Sequence, residues 1–211
     1  MDTLAFIENK FNRINEGLPV QIPNVGRMDL VRWFRELNFQ IGAELGVAQA
    51  EFSKTICEIN PQLKLIGVDA WAPYKGYTDY TKESTFNTMH EEVERRMAEY
   101  VKRGRFEVIR KFTEDAAKDI PDGSLDFVYI DANHQDPWVT QDINTWAPKV
   151  RKGGIVAGHD YVRVKRVEWA VKDAIQKYTR DNNIDPWFVL GSDAVVPGEV
   201  REGSRSWMFI R

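Results

Sequence analysis

The sequence predicts an α/β fold: a doubly wound, mostly parallel seven-stranded sheet with helices on both faces, an antiparallel hairpin at the C-terminal edge and a lid inserted after the second strand. Three observations carry that expectation. Short apolar runs of strand length alternate with stretches whose apolar residues recur at helical spacing, from Phe39 to Tyr178. Two of the strand-like runs end in reactive side chains: Asp131-Ala132-Asn133-His134 follows one, and Gly158-His159-Asp160-Tyr161 follows the next. Parallel strands end on one side of a sheet, so these two tips meet at one crevice. The tail supplies the third observation, because Trp187-Phe188-Val189-Leu190 and Trp207-Met208-Phe209-Ile210 read as two strands joined by a loop rich in Gly, Pro and Ser.

In chain order, Leu4, Ile7, Phe11 and Ile14 fall at helical spacing until Gly17, Pro19 and Pro23 break the pattern. A second helix carries Leu30, Trp33, Phe34 and Leu37, and these N-terminal helices, residues 1–38, precede the first strand, Phe39-Gln40-Ile41-Gly42-Ala43-Glu44-Leu45. Phe52, Ile56 and Ile59 give the next helix its apolar face, and Leu63-Lys64-Leu65-Ile66-Gly67-Val68-Asp69 completes a βαβ unit on an acid. Composition then changes. Across residues 71–105, Trp71, Tyr74, Tyr77, Tyr80 and Phe86 crowd a segment that also holds Pro73 and Gly76, and a charged helix follows with Phe86, Met89, Val93, Met97 and Tyr100 on its apolar side. This segment is the expected lid. Strands resume at Phe106-Glu107-Val108-Ile109 and, through the turn Pro121-Asp122-Gly123, at Leu125-Asp126-Phe127-Val128-Tyr129-Ile130. A helix starting near Pro137 buries Val139, Ile143 and Trp146 and stops at Pro148; Gly153-Gly154 turns into Ile155-Val156-Ala157, and a last helix carries Val167, Val171, Ile175 and Tyr178.

A length of 211 residues suits one domain, 1–211, with a full core. With 29 basic and 32 acidic residues, the net charge of -3 gives no pull toward nucleic acid or a membrane surface, and a small-molecule substrate is the expected partner. The start, Met1-Asp2-Thr3-Leu4, lacks a basic stretch before an apolar one, and no apolar run approaches membrane-spanning length, so a cytoplasmic location is expected. Cys57 stands alone, which excludes an internal disulfide and a cysteine-based zinc site and places it in a helix core. The early helices, Leu4 to Leu37, pack on the sheet or against a second copy of the chain, and sequence leaves a homo-oligomer open.

In a doubly wound sheet the ligand sits past the carboxyl ends of the strands, so the first strand-to-helix loop, Glu44-Leu45-Gly46-Val47-Ala48-Gln49-Ala50-Glu51, is the one to meet it. Small residues at alternate positions let backbone approach a ligand closely. Asp69, ending the second strand, stands where sites of this architecture place an acid on a ribose diol. A nucleoside-bearing cofactor fits both.

These residues resemble a class I methyltransferase that uses S-adenosylmethionine, with a Rossmann-like sheet. Glu44 and Gly46 match the acid and first glycine of that family's acid-x-Gly-x-Gly-x-Gly loop, while Ala48 and Ala50 replace the later glycines. The wider run is similar to bacterial small-molecule O-methyltransferases, the group that includes macrolide- and aminocoumarin-sugar enzymes. It comprises Gly42-Ala43-Glu44-Leu45-Gly46-Val47, Gly67-Val68-Asp69-Ala70-Trp71, Asp126-Phe127-Val128-Tyr129-Ile130-Asp131, and Gly153-Gly154 through Gly158-His159-Asp160-Tyr161.

The resemblance implies that Glu44, Gly46 and Ala50 border the methionine end of the cofactor, with Asp131 beside it. Asp69 takes the ribose, Glu114 or Asp115 accepts from the adenine amine, and Trp71 covers adenine or substrate. In metal-dependent relatives an acid after the fourth strand and an acidic pair after the fifth hold a divalent cation. Asp131 and Asp160 match those positions, and His159 stands where the sugar enzymes often carry another acid. The metal set is then Asp131, His159 and Asp160. Oxygen ligands suit Mg2+ first, and an added imidazole brings in Mn2+. The reaction implied is methyl transfer to a hydroxyl of a small molecule, with His134 the preferred base, three residues past Asp131, His159 the other candidate, and a reaction that needs no strong base the third alternative.

Structural alternatives stand beside each assignment. Asp131 and Asp160 can cap turns, His134 can be a surface hydrogen-bonder, and the aromatic run after Trp71 can simply cover the core. His90, among Glu91 and Glu92, reads as solvated. A methyltransferase-like binding module without catalysis, a hydroxylation-linked relative and a nicotinamide-dependent oxidoreductase are the competing functions. The last expects Gly-x-Gly-x-x-Gly where this loop offers Gly46 alone.

Overall fold

In the computed structural model of the protein, residues 2–11, 17–74, 82–162, 170–194 and 197–211 are described. Ile14, Gly76, Tyr77, Tyr80 and Val167 of the sequence patterns lie outside them. The strands are β1 (Val20–Ile22), β2 (Ile41–Leu45), β3 (Lys64–Val68), β4 (Phe106–Ile109), β5 (Leu125–Ile130), β6 (Val150–Gly158), β7 (Trp187–Leu190) and β8 (Trp207–Ile210). They form one sheet in the order β1-β7-β8-β6-β5-β2-β3-β4. β8 runs antiparallel to β6 and β7, and the remaining pairs are parallel.

Two expectations are corrected here. The sheet has eight strands rather than seven, because Val20–Ile22 pairs with Phe188–Leu190. That pairing also takes the edge away from the C-terminal hairpin: β7 and β8 are antiparallel to each other, as expected, but β1 lies outside them. A three-residue strand between Pro19 and Pro23 is too short to show period-two alternation, and its partner is far away in sequence.

Helices cover both faces, and alternation along each strand feeds two cores. On one face lie α2 (Arg27–Glu36), α3 (Glu51–Ile59) and α4 (Glu83–Lys102), meeting Leu65, Phe127 and Tyr129 of the sheet. On the other lie α5 (Thr113–Ala117), α6 (Trp138–Trp146) and α7 (Val171–Asp181), meeting Leu45, Val68, Val128 and Ile130. The first helix, α1 (Thr3–Lys10), is capped by the Asp2 carboxylate, which accepts from the Leu4 and Ala5 N–H groups. β5 is buried along all six residues, as a central parallel strand covered on both faces should be.

The part of 71–105 described beyond the masked stretch is α4, the crossover between β3 and β4. Phe86, Met89, Val93 and Met97 are buried in the core against α3 and the sheet. No helix of the described residues is long and apolar enough to cross a membrane.

Strand order reverses between β5 and β2: the chain winds outward through β3 and β4 on one side and through β6 on the other. Such a reversal splays the connecting loops apart and opens a crevice at the carboxyl ends of the two strands.

Candidate active site

The crevice is built on Gly46 and Asp131. Gly46, at φ +85°, sits so close to β5 that a Cβ would lie 2.1 Å from the Asp131 carbonyl oxygen. No other residue fits that position. The next small residues, Ala48 and Ala50, hold left-handed backbone at φ 49° and 59° without being glycine. Ala48 is tied down by two bonds: its N–H donates to Asp69 Oδ2 (3.1 Å) and its carbonyl accepts from Trp71 Nε1 (2.8 Å). Asp69 also accepts from the Trp71 N–H at 2.9 Å. Burial raises the Asp69 pKa, opposed by hydrogen bonds from the Trp71, Ala48, Val47 and Ala70 backbone.

A cavity of about 390 Å3 opens beside this loop. Gly46, Asp69, Trp71, Glu114, Asp115 and Asp131 of the expected cofactor set line it, within a wall of Tyr74, Phe86, Met89, Phe112 and Trp138. Its size and mixture of aromatic surface with a few carboxylates are those of a small-molecule site. Tyr74 packs edge-on against Phe112 and Trp138, with ring centroids 5.4 and 5.5 Å away, and its hydroxyl accepts from Asn133 Nδ2 at 2.9 Å. Trp71 is buried and meets the His90 ring edge-on at 4.8 Å. His90 is therefore part of the packing, with 17% of its side chain exposed, rather than a solvated residue of a charged face.

Glu44 and Ala50 lie outside the cavity wall. Glu44 is buried beneath the loop, where its carboxylate accepts from the Ser53 hydroxyl of α3. Burial pushes its pKa up to about 8, against the Ser53 bond. Ala50 caps α3 and is fully buried.

At the other end of Asp131 the second strand tip arrives. Asp131, His134 and Asp160 each offer a ligand atom, all within 4.8 Å of one another, an arrangement that can hold a metal ion. His134 Nε2 is 3.3 Å from Asp131 Oδ1 and 2.9 Å from Asp160 Oδ2. Asp160 reaches this point from left-handed backbone, at φ 55°. The expected metal set is Asp131, His159 and Asp160, and the group whose ligand atoms lie together has His134 beside the two carboxylates. His159 stands next to it, with Nδ1 3.4 Å from Asp160 Oδ2 and 4.0 Å from Asp131 Oδ2. Its other nitrogen faces Glu202 Oε2 at 3.6 Å. Glu202, on the β7–β8 connection, gave no sequence signal, because nothing in the loop's sequence sets it apart from Asp193 and Glu199.

The electrostatics are those of a charged nest. Burial disfavours charge on His134, but hydrogen bonds to Asp131 and Asp160 outweigh it and raise its pKa to about 10. His159 rises to about 9 in the same way, burial being overcome by Asp160, Glu202 and Asp131. For Asp160, burial is overcome by the two histidines, which hold its pKa far below the usual carboxylate range. Two carboxylates facing one imidazole at this spacing form a donor set of oxygen and nitrogen that suits a divalent cation.

Comparison with known proteins agrees with this geometry. A family profile described as a methyltransferase domain matches residues 39–161. No curated protein gave a significant sequence match. Among solved structures, a candidate caffeoyl-CoA O-methyltransferase from Staphylococcus aureus superposes with a TM-score of 0.58 at 15% identity, covering 98% of this chain and 91% of that one. An O-methyltransferase family protein from Burkholderia thailandensis gives 0.60 at 16% identity, covering 88% and 55%. CalS11, a TDP-rhamnose 3'-O-methyltransferase of calicheamicin biosynthesis, gives 0.56 at 15% identity, covering 85% and 76%. These likenesses establish a shared fold. The matched profile runs from the strand that carries Glu44 to the tip that carries Asp160, and the chain belongs to the methyltransferase-domain family, as a class I S-adenosylmethionine-dependent methyltransferase.

Proposed function

We propose that the protein transfers the methyl group of S-adenosylmethionine to a hydroxyl of a small molecule, with a divalent cation held by Asp131, His134 and Asp160. One observation carries the reading: Asp131 belongs both to the wall of the 390 Å3 cavity and to the metal-competent group. A donor seated in the cavity and an acceptor at the group are thereby neighbours. Asp69 receives the ribose hydroxyls, and the aromatic wall around Trp71 and Phe112 takes the adenine. The Gly46 loop lets the sulfonium end approach β5.

Methyl transfer from a sulfonium is an in-line displacement whose leaving group is already activated. The chain's residues must align donor and acceptor and take one proton. A bound cation makes an alcohol more acidic. Magnesium is the first expectation and manganese the second, given the imidazole. With a cation bound at Asp131 and Asp160, the carboxylates that keep the histidines protonated are neutralised, and His159, with Glu202 at its far nitrogen, is then free to accept the acceptor's proton. A sugar hydroxyl is the acceptor class supported by the resemblance to sugar methyltransferases and by the likeness to CalS11.

Calorimetric titration with S-adenosylhomocysteine tests the cofactor, and absence of binding at high micromolar ligand overturns it. Product formation on a panel of sugars and sugar nucleotides tests the rest. Chelation should abolish turnover and Mg2+ or Mn2+ restore it, and Asp160→Ala should lose the response. Full turnover after chelation refutes the metal role.

A further inference from the structure

The loop after β2 carries backbone strain that its own residue types do not excuse. Ala48 and Ala50 stand where the loop it resembles has glycine, yet both hold left-handed backbone, at φ 49° and 59°. That conformation crowds Cβ against the following carbonyl, and a residue other than glycine keeps it only where its surroundings enforce it. For Ala50 the enforcement is local: the residue is fully buried at the start of α3, and its N–H donates to the Val47 carbonyl at 2.8 Å. Ala48 is exposed and lines the cavity, so burial does not hold it.

Trp71 does. Its indole Nε1 donates to the Ala48 carbonyl at 2.8 Å, while the Ala48 N–H donates to Asp69 Oδ2 at 3.1 Å. Both polar groups of the Ala48 backbone are therefore engaged by one short segment, Asp69 to Trp71. That segment is itself fixed: the Trp71 N–H donates to Asp69 Oδ1 at 2.9 Å, and its carbonyl accepts from the Arg110 guanidinium at 3.3 Å. The side chain is 1% exposed, and the His90 ring of α4 meets it edge-on. At φ 41° Trp71 is left-handed too, a conformation that these contacts impose. A buried indole N–H needs an acceptor; here the acceptor is the carbonyl of the strained, exposed residue of the loop.

We propose that Trp71 is a positioning residue for the cofactor: its indole N–H and the Asp69 carboxylate bracket Ala48 and hold the Gly46–Ala50 loop in the conformation that glycines would adopt unaided. The inference rests on the cavity being the adenosyl site. The bracket also sets the loop and Asp69 as one piece, since each end of the Ala48 backbone is bonded to the segment that carries the acid. Without the indole N–H, Ala48 relaxes out of the left-handed region, and the loop must be strained again when the cofactor enters. Ala48→Gly removes that requirement.

The test is calorimetric titration of the full chain with S-adenosylhomocysteine, comparing wild type, Trp71→Phe, Ala48→Gly and the double variant. Trp71→Phe keeps an aromatic ring without the N–H and is expected to bind about tenfold more weakly. Adding Ala48→Gly should recover most of that loss, to within about threefold of wild type, whereas Ala48→Gly alone should change affinity by less than about threefold. A tryptophan that only fills space or walls the cavity predicts the opposite sign: the glycine adds freedom to the loop, and the two losses add. Additive losses, or a Trp71→Phe variant that binds as tightly as wild type, overturn the proposal and leave the cofactor reading standing. Trp71→Leu, with and without Ala48→Gly, gives the same comparison if the phenylalanine variant does not fold. Failure of wild type to bind S-adenosylhomocysteine overturns both.

Discussion

At the scale of single residues, the acids in and around the site divide into those the sequence exposes and those it hides. Asp69, Asp131 and Asp160 stood out as candidates because each follows a strand, where the architecture itself points to a ligand, while Glu44, inside β2, is buried beneath the loop. Asp142 of α6, buried in the wall of the cavity, did not stand out. A lone acid on an amphipathic helix reads as part of the solvated face, and only the fold turns that position into the cavity. His134 and His159 were legible as a pair but not as individuals, since which ring falls between the two carboxylates depends on the left-handed turn at Asp160. Glu44 yields a prediction with a definite sign. Its folded pKa, about 8, lies above the ordinary 4.5, so ionisation opposes folding. The penalty is absent below the ordinary value, grows as pH rises between the two, and is complete above about 8, at most roughly 5 kcal/mol for a shift of that size. Glu44→Gln keeps the hydrogen bond to Ser53 without the charge. Urea unfolding at several pH values should show wild type losing stability relative to the variant from pH 5 to 8; parallel curves would refute the assignment.

Among elements, α2 shows how a helix far from the chemistry sets the crevice. Gly42 in β2 is required because a Cβ there would stand 2.1 Å from the Phe127 ring of β5. Phe127 in turn stacks on Phe34 of α2 with centroids 3.9 Å apart, and Phe39 joins the pile at 5.8 Å from Phe34. The central strands and α2 are thus locked through a column of rings. The N-terminal end of α2 meets the site itself: the Arg27 N–H donates to Glu202 at 3.3 Å, and Glu202 faces His159. The helical spacing of Leu30, Trp33, Phe34 and Leu37 showed this element in the sequence, and all four are buried. β1 was hidden because its identity depends on pairing with β7 rather than on any local pattern. Phe34→Ala should cost about 3–5 kcal/mol, from lost transfer energy, lost ring contact and the cavity left behind. A fall in the urea midpoint with an unchanged slope is the expected result. A loss under 1 kcal/mol would mean that the column does not hold the sheet.

For the whole molecule, the site is two subsites on one sheet reversal, joined by Asp131. Asp69, Trp71, Phe86 and Phe112 belong to the β2–β3–β4 half, whereas His134 and Asp160 come from the tips of β5 and β6, and Trp138 of the aromatic wall starts α6 between them. Ligands that bind the folded state alone stabilise all of it, by about 2.7 kcal/mol at one hundred times their Kd. For a chain of this size that corresponds to roughly 5–10 °C in melting temperature. S-adenosylhomocysteine and Mn2+ should each raise the melting temperature, and substitutions should separate the two rises. Asp69→Ala should remove the nucleoside increment and leave the Mn2+ increment. Asp160→Ala should do the reverse, and Asp131→Ala should diminish both. Increments, not absolute temperatures, are compared, because removing Asp160 also takes a partner from His134. A common loss of both increments in Asp69→Ala and Asp160→Ala would mean that the crevice is a single cooperative unit. Independent increments, with Asp131 the one residue that affects both, would tie donor and acceptor chemistry to the shared carboxylate at the end of β5.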